Sequence, residues 1–105
     1  MTKLEIEVAE TEMTALAQVC GVPSHLIGGL VRYIVQGILP GETLQAVLAN
    51  DLMDAMGRAD EQTAAGMKAV CLFLFNHAPN GCFGGRDFIL EWNRRQQKRL
   101  SEAAR

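Results

Sequence analysis

Asp51 and Asp54 stand three residues apart and Asp60 follows, a spacing that sets two carboxylates on one outward helix face within reach of a shared cation. Arg58 comes four residues after Asp54, so a surface ion pair accounts for the same side chains without a metal. The soft ligands are Cys20, His25, Cys71, His77 and Cys82. Their only close run, Cys71-x5-His77-x4-Cys82, lacks the short paired spacing of structural zinc sites. Periodicity also places Cys71 on a buried face, where cysteine acts as a small hydrophobe. No metal and no cofactor is expected. Nucleophiles are equally scarce: Ser24 reads as a helix cap, and Ser101 lies near the end of the sequence. Gly84-Gly85 follows no strand and reads as a turn, not a phosphate loop. The chain is not expected to be an enzyme.

A binding surface is the remaining chemistry. Arg32, Tyr33, Asn50, Asp51, Arg58, Phe83 and Trp92 combine guanidinium and aromatic groups with amide and carboxylate. Protein hot spots and stacked-nucleotide sites use that mixture. Arg32, Tyr33, Asn50, Asp51, Arg58 and Asp60 are the expected contact residues, because their stretch carries more polar specification than a helical bundle requires. The competing structural reading makes Tyr33 and Trp92 half-buried core and Arg58 a surface ion pair.

The elements that would position these groups are helical. Ile6, Ala9, Met13, Leu16 and Cys20 fall at steps of three and four, predicting a helix over 7–20 that Gly21 and Pro23 stop. Leu4, Ile6 and Val8 alternate, so the first residues also fit an extended edge. Ser24 as N-cap and Gly37 as a left-handed stop bound a second helix with Leu26, Ile27, Leu30, Val31 and Ile34 in one stripe. Gly28 and Gly29 inside it imply a closely packed backbone or a bend. After the turn at Leu39-Pro40-Gly41 a third helix is predicted over 42–57, burying Leu44, Val47, Leu48, Leu52, Ala55 and Met56. Asp60 caps a fourth, running to His77 with Ala64, Met67, Cys71, Leu74, Phe75 and Ala78 in register. From Ala69 to Phe75 that helix is apolar around most of its circumference, as in a central helix or one covered by a second subunit. Gly84-Gly85 opens a last helix with Phe88, Ile89 and Trp92 on one face, after which residues 93–105 read as a basic solvated tail.

The expected architecture is therefore all-α, a small bundle of four to five helices joined by short turns, forming one domain over 1–105. A chain of 105 residues with a net charge of −2 lacks the electrostatic footprint of a non-specific nucleic-acid binder. Residues 42–54 fit the second helix of a helix-turn-helix by position but carry no base, only Glu42, Asp51 and Asp54. Three cysteines, an odd number, suit reduced thiols in a cytoplasm better than a disulfide framework. No apolar run approaches the ~18 residues of a membrane span, and the start does not read as a signal peptide. Residues 1–22 are acidic and residues 86–105 basic, so the two ends are complementary within or between chains. With the apolar 69–75 stretch, this points to a homo-oligomer.

Arg32-Tyr33-Ile34-x-x-Gly37-Ile38-x-Pro40-Gly41, Ala46-Val47-Leu48-x-Asn50-Asp51-Leu52 and Arg58-Ala59-Asp60 resemble the motif string of a family of small proteins of tailed bacteriophages and prophages. The resemblance spans residues 23–92, and Phe73-Leu74-Phe75-Asn76, Gly81-Cys82-Phe83-Gly84-Gly85 and Trp92 stand where the family has an aromatic/Asn stretch, a Cys-Trp-Gly-Ser turn and a tryptophan helix. Leu39 departs from the family's first proline, Glu42-Thr43 from Ser-Phe, Phe83 from tryptophan and Gly85 from serine. The resemblance implies a non-enzymatic phage accessory protein in the host cytoplasm. By analogy of context it would serve host takeover or counter-defence, binding a host protein or sequestering a small signalling nucleotide. The alternatives are a DNA-associated regulator using the basic last helix, and a virion or assembly component.

Overall fold

Thr2 opens the first helix. Its Oγ1 accepts from the Glu5 amide at 3.1 Å, satisfying one of the free donors of a helix start. A computed structural model describes residues 2–103, and among the described residues every regular element is helical. Helix α1 (Lys3–Val19) thus starts four residues before the expected boundary, and Leu4, Ile6 and Val8, which also fitted an extended edge, are helical. Gly21, at φ 84°, closes it in a Schellman turn, with the Val22 amide donating to Ala17 O and the Gly21 amide to Gln18 O.

Helix α2 (Ser24–Gln36) ends at Gly37, φ 74°, as its sequence implied. Ser24, however, is the first helical residue and makes no cap bond. Nor does a backbone pack against Gly28 and Gly29. A Cβ at Gly29 would meet Leu44 Cδ1 at 3.6 Å, ordinary contact, and one at Gly28 would meet only the exposed Arg32 guanidinium.

The two long middle helices are each divided. Residues 42–57 form α3 (Glu42–Leu48) and α4 (Leu52–Arg58), separated by a second Schellman turn in which Asn50 takes the left-handed position, φ 61°. The Asp51 amide donates to Ala46 O and the Asn50 amide to Val47 O. Asparagine tolerates this conformation better than any β-branched or bulky residue. The helix-turn-helix reading therefore loses its continuous second helix. Residues 61–77 form α5 (Glu61–Ala65) and α6 (Met67–His77), broken at Gly66, where a Cβ would overlap the Pro23 ring.

These breaks rotate the faces. Helix α4 buries Ala55 but exposes Leu52 and Met56, which were expected inside. Helix α6 buries Met67, Val70, Phe73 and Leu74, and leaves Cys71 and Phe75, also expected inside, on the surface.

Helix α7 (Arg86–Ala103) continues through the residues expected to form a solvated tail. Ile89 and Trp92 are buried, while Phe88, expected beside them, is half exposed. Beyond Trp92 the inward face is polar and occupied. Trp92 Nε1 donates to Tyr33 O and Ile34 O, Gln96 Nε2 to Ile34 O and Val35 O, Gln97 Nε2 to Gln36 O, and Asn93 Nδ2 to Gly37 O at 2.7 Å. The carbonyls of Ile34, Val35 and Gln36, which have no backbone partner, are thus capped from the side by α7, while Tyr33 O also accepts from the Gly37 amide. Helix α1 packs on α2, α7 on α2 and α3, α3 on α4, and α5 on α6. The main core is built around Leu30, Tyr33, Leu48, Val70, Phe73 and Cys82.

Candidate functional site

The six expected contact residues do not form one surface. Tyr33 is fully buried, and its hydroxyl donates to Cys82 O at 2.6 Å. Burial, then the neighbouring Cys82 thiol, pushes its pKa far above the ordinary tyrosine value. It is a core residue, and its place in a contact surface is withdrawn. Trp92 is likewise buried. Arg32 is exposed and folds back beside Gly28. Asn50 is the left-handed turn residue. Asp51 and Asp60 are helix caps: Asp51 Oδ1 accepts from the Asp54 amide at 3.2 Å, and Asp60 Oδ1 from the Thr63 amide at 2.7 Å. Much of the polar specification in this stretch is thus spent on turning and capping short helices.

Asp51 and Arg58 do not touch, but Arg86 and Asp54 link them in an ion cluster that joins α3, α4 and the start of α7. Arg58 Nε donates to Asp54 Oδ1 at 2.9 Å and its NH1 to Glu42 Oε2 at 2.5 Å. Arg86 NH2 lies 3.3 Å from Asp54 Oδ2 and 3.5 Å from Asp51 Oδ2. The hydrogen bond and charge of Asp54, reinforced by Glu42, raise the Arg58 pKa further. Glu42, Gln45, Asp54, Arg58 and Arg86 line a small recess of about 120 Å3. Its two guanidinium groups already face its two carboxylates, which leaves no unmatched cation to seat a phosphate. Periodicity foretold the Asp54–Arg58 pair, but Glu42 and Arg86 come from separate helices and had no local signal.

His25 Nε2 lies 2.9 Å from Thr63 Oγ1, linking the first turn of α2 to the first turn of α5. Thr63 is buried, so its hydroxyl serves this tie rather than facing a substrate. The Thr63 amide and hydroxyl hold the Asp60 carboxyl below the usual range, and His25 adds to the effect. Cys82 is buried, and burial pushes its thiol up to about 11, keeping it neutral and unreactive at neutral pH. Among the described residues no three His, Cys, Asp or Glu side chains are arranged to hold a metal ion.

A concavity with an apolar lining also includes Asn50. It measures about 370 Å3 and is lined by Val47, Asn50, Cys71, Leu72, Leu74, Phe75, Phe83 and Gly84. The Gly84 amide donates to Leu48 O at 2.7 Å, which ties the 82–85 loop to the end of α3 and holds Phe83 at the rim. A smaller hollow shares Val47, Asn50 and Cys71 and extends the surface to Asp51 and Leu52. Phe75 is 78% exposed, Leu52 65% and Met53 84%, with Leu72 and Met56 about half exposed. The excess of apolar residues in 69–75 was the sequence signal for this face. Its extension onto α4 follows from the break at Asn50.

Compared with family models, with curated proteins and with solved structures, the chain matches none. Among the described residues no helix is long and apolar enough to cross a membrane.

Proposed function

We propose that the chain is a non-enzymatic binding protein that pairs with a second copy of itself through the apolar face of α4 and α6 and presents its remaining surface to a host protein. The observation that carries the pairing is the exposure of Leu52 on α4 and of Leu72 and Phe75 on α6, beside two adjoining hollows that share Val47, Asn50 and Cys71. Large apolar side chains exposed together in this way mark an interaction surface. The hollow beside Leu72 and Phe75 has no charged residue in its lining, so two copies can meet there about a two-fold axis without like charges opposed. The resemblance of residues 23–92 to small phage proteins supports a role as an accessory protein in host takeover or counter-defence. A protein partner is favoured over a sequestered nucleotide, because Arg58 and Arg86 already face Glu42, Asp51 and Asp54 and the apolar hollow offers no cation.

Light scattering during gel filtration tests the pairing. The expected mass is twice 11.5 kDa, and Leu72→Ser/Phe75→Ser should reduce it to the monomer with an unchanged circular-dichroism spectrum. A native chain that stays at 11.5 kDa as its concentration is raised would overturn the reading.

A further inference from the structure

Helix α1 carries a second apolar stripe that the fold does not use. Its inward residues Ile6, Ala9, Met13 and Leu16 pack against the core. Leu4, Val8, Thr11, Ala15 and Val19, at steps of four, three, four and four, lie on the opposite side and are all exposed, Val19 at 85% and Leu4 at 69%. Leu4, Val8, Thr11 and Ala15 follow the alternating four and three steps of a coiled-coil seam, Val19 extends the stripe one turn further, and Thr11 and Ala15 are small enough for a second helix to approach closely. Glu5, Glu7 and Glu12 flank it, and none of them is in an ion pair among the described residues. Leu4, Glu7, Val8, Thr11 and Glu12 line one open groove.

We infer that this face of α1 docks an amphipathic helix of another protein, one whose apolar seam is flanked by lysine or arginine. A surface meant only for water has no need of four apolar residues, Leu4, Val8, Ala15 and Val19, in one stripe, and the carboxylates on its flanks select the charge of what covers it. A second copy does not fit. Pairing α1 with α1 in antiparallel fashion about Thr11 sets Glu12 against Glu12, and the parallel arrangement aligns every glutamate with its counterpart. The basic helix α7 has the complementary charge in Arg94, Arg95, Lys98 and Arg99, but it exposes no apolar seam beside them to fill the groove. The inference names the partner chemistry within the binding-protein reading and does not depend on self-pairing through α6.

The test uses a fluorescein-labelled 18-residue peptide of leucine and lysine in heptad order, titrated with the full chain and read by anisotropy. Three control peptides accompany it: glutamate in place of lysine, a scramble of the same composition without the seam, and an unlabelled competitor. Binding of the lysine peptide at least about tenfold tighter than either the glutamate or the scrambled one is expected. Glu7→Lys/Glu12→Lys and, separately, Val8→Asp should each weaken it by about tenfold or more, roughly 1.4 kcal/mol, with unchanged helix content. Leu72→Ser/Phe75→Ser should leave it intact even where it abolishes self-pairing, which separates failure of one reading from failure of the other. Equal binding of the scrambled peptide, retention of binding by the α1 variants, or loss of binding in the α6 variant would overturn the inference. A change of oligomer mass in Glu7→Lys/Glu12→Lys would also overturn it, by making α1 a contact between copies.

Discussion

Gly37 and Gly29 sit eight residues apart in one segment and answer to opposite constraints. Gly37 has φ 74°, where an L side chain is strained by about 1–2 kcal/mol. Its Cα also faces α7 so closely that a Cβ would lie 2.6 Å from Gln96 Cβ and 3.3 Å from the Asn93 backbone. Gly29 has neither restriction. It lies inside α2, where a Cβ would make ordinary contact with Leu44 and Pro40 while restricting the unfolded chain. Gly37→Ala is therefore expected to destabilise by about 2–4 kcal/mol, strain and overpacking combined. Gly29→Ala should stabilise by about 0.5–1 kcal/mol, the helix-propensity difference. Urea denaturation of the two variants checks both signs. A destabilised Gly29→Ala would show that this glycine is required by something other than the helix itself.

At the scale of elements, the positions of the stops were largely legible and the partners of the polar faces were not. Gly21, Gly37 and the Pro79-Asn80-Gly81 turn mark boundaries through residue types with few other uses. Asn50 does not, because an asparagine in a helical apolar pattern looks like any outward polar residue. Only the paired bonds of the Schellman turn reveal that it ends α3. Asp60 was legible as a helix cap and Asp51 was not, because capping and recognition draw on the same side chains. The largest loss was α7. Periodicity counts apolar residues, so Asn93, Gln96 and Gln97 read as solvent-facing, although their partners are the free carbonyls of α2. Gln96 is 6% exposed and bonds two of those carbonyls. Gln96→Ala should cost about 1–3 kcal/mol, because Val35 O is left buried without its donor. Hydrogen exchange should also quicken at the end of α2, with little change in α1. Loss confined to α7 would mean that the carbonyl caps hold only the helix that supplies them.

For the whole molecule, the ties converge on Tyr33 and Cys82. Tyr33 in α2 donates to Cys82 O, Trp92 of α7 donates to Tyr33 O, and the loop that holds Cys82 is bonded through Gly84 to the end of α3. Three helices therefore meet at a phenol and a thiol that are both buried and both neutral. Burial raises the Cys82 thiol from 9.0 to about 11 and moves Tyr33 upward from 10.0. In the unfolded chain both groups regain their ordinary values, so above pH 9 the unfolded state sheds protons that the folded state keeps. The stabilisation is complete below that point and is lost as pH rises through about 11. On the acid side Asp60 has the reverse sign. Its depressed carboxyl contributes stability above its ordinary value of 3.8 that fades as pH falls through the folded value, and its exposure to solvent keeps that limb shallow. The urea midpoint should accordingly stay level through neutral pH and fall steeply above pH 9. Cys82→Ala should begin from a lower midpoint at neutral pH because a buried side chain is lost. Its alkaline fall should be delayed until tyrosine's 10.0. If the variant and the native chain instead lose stability in parallel between these two values, the thiol is not what the folded state protects, and the alkaline limb belongs to the phenol alone.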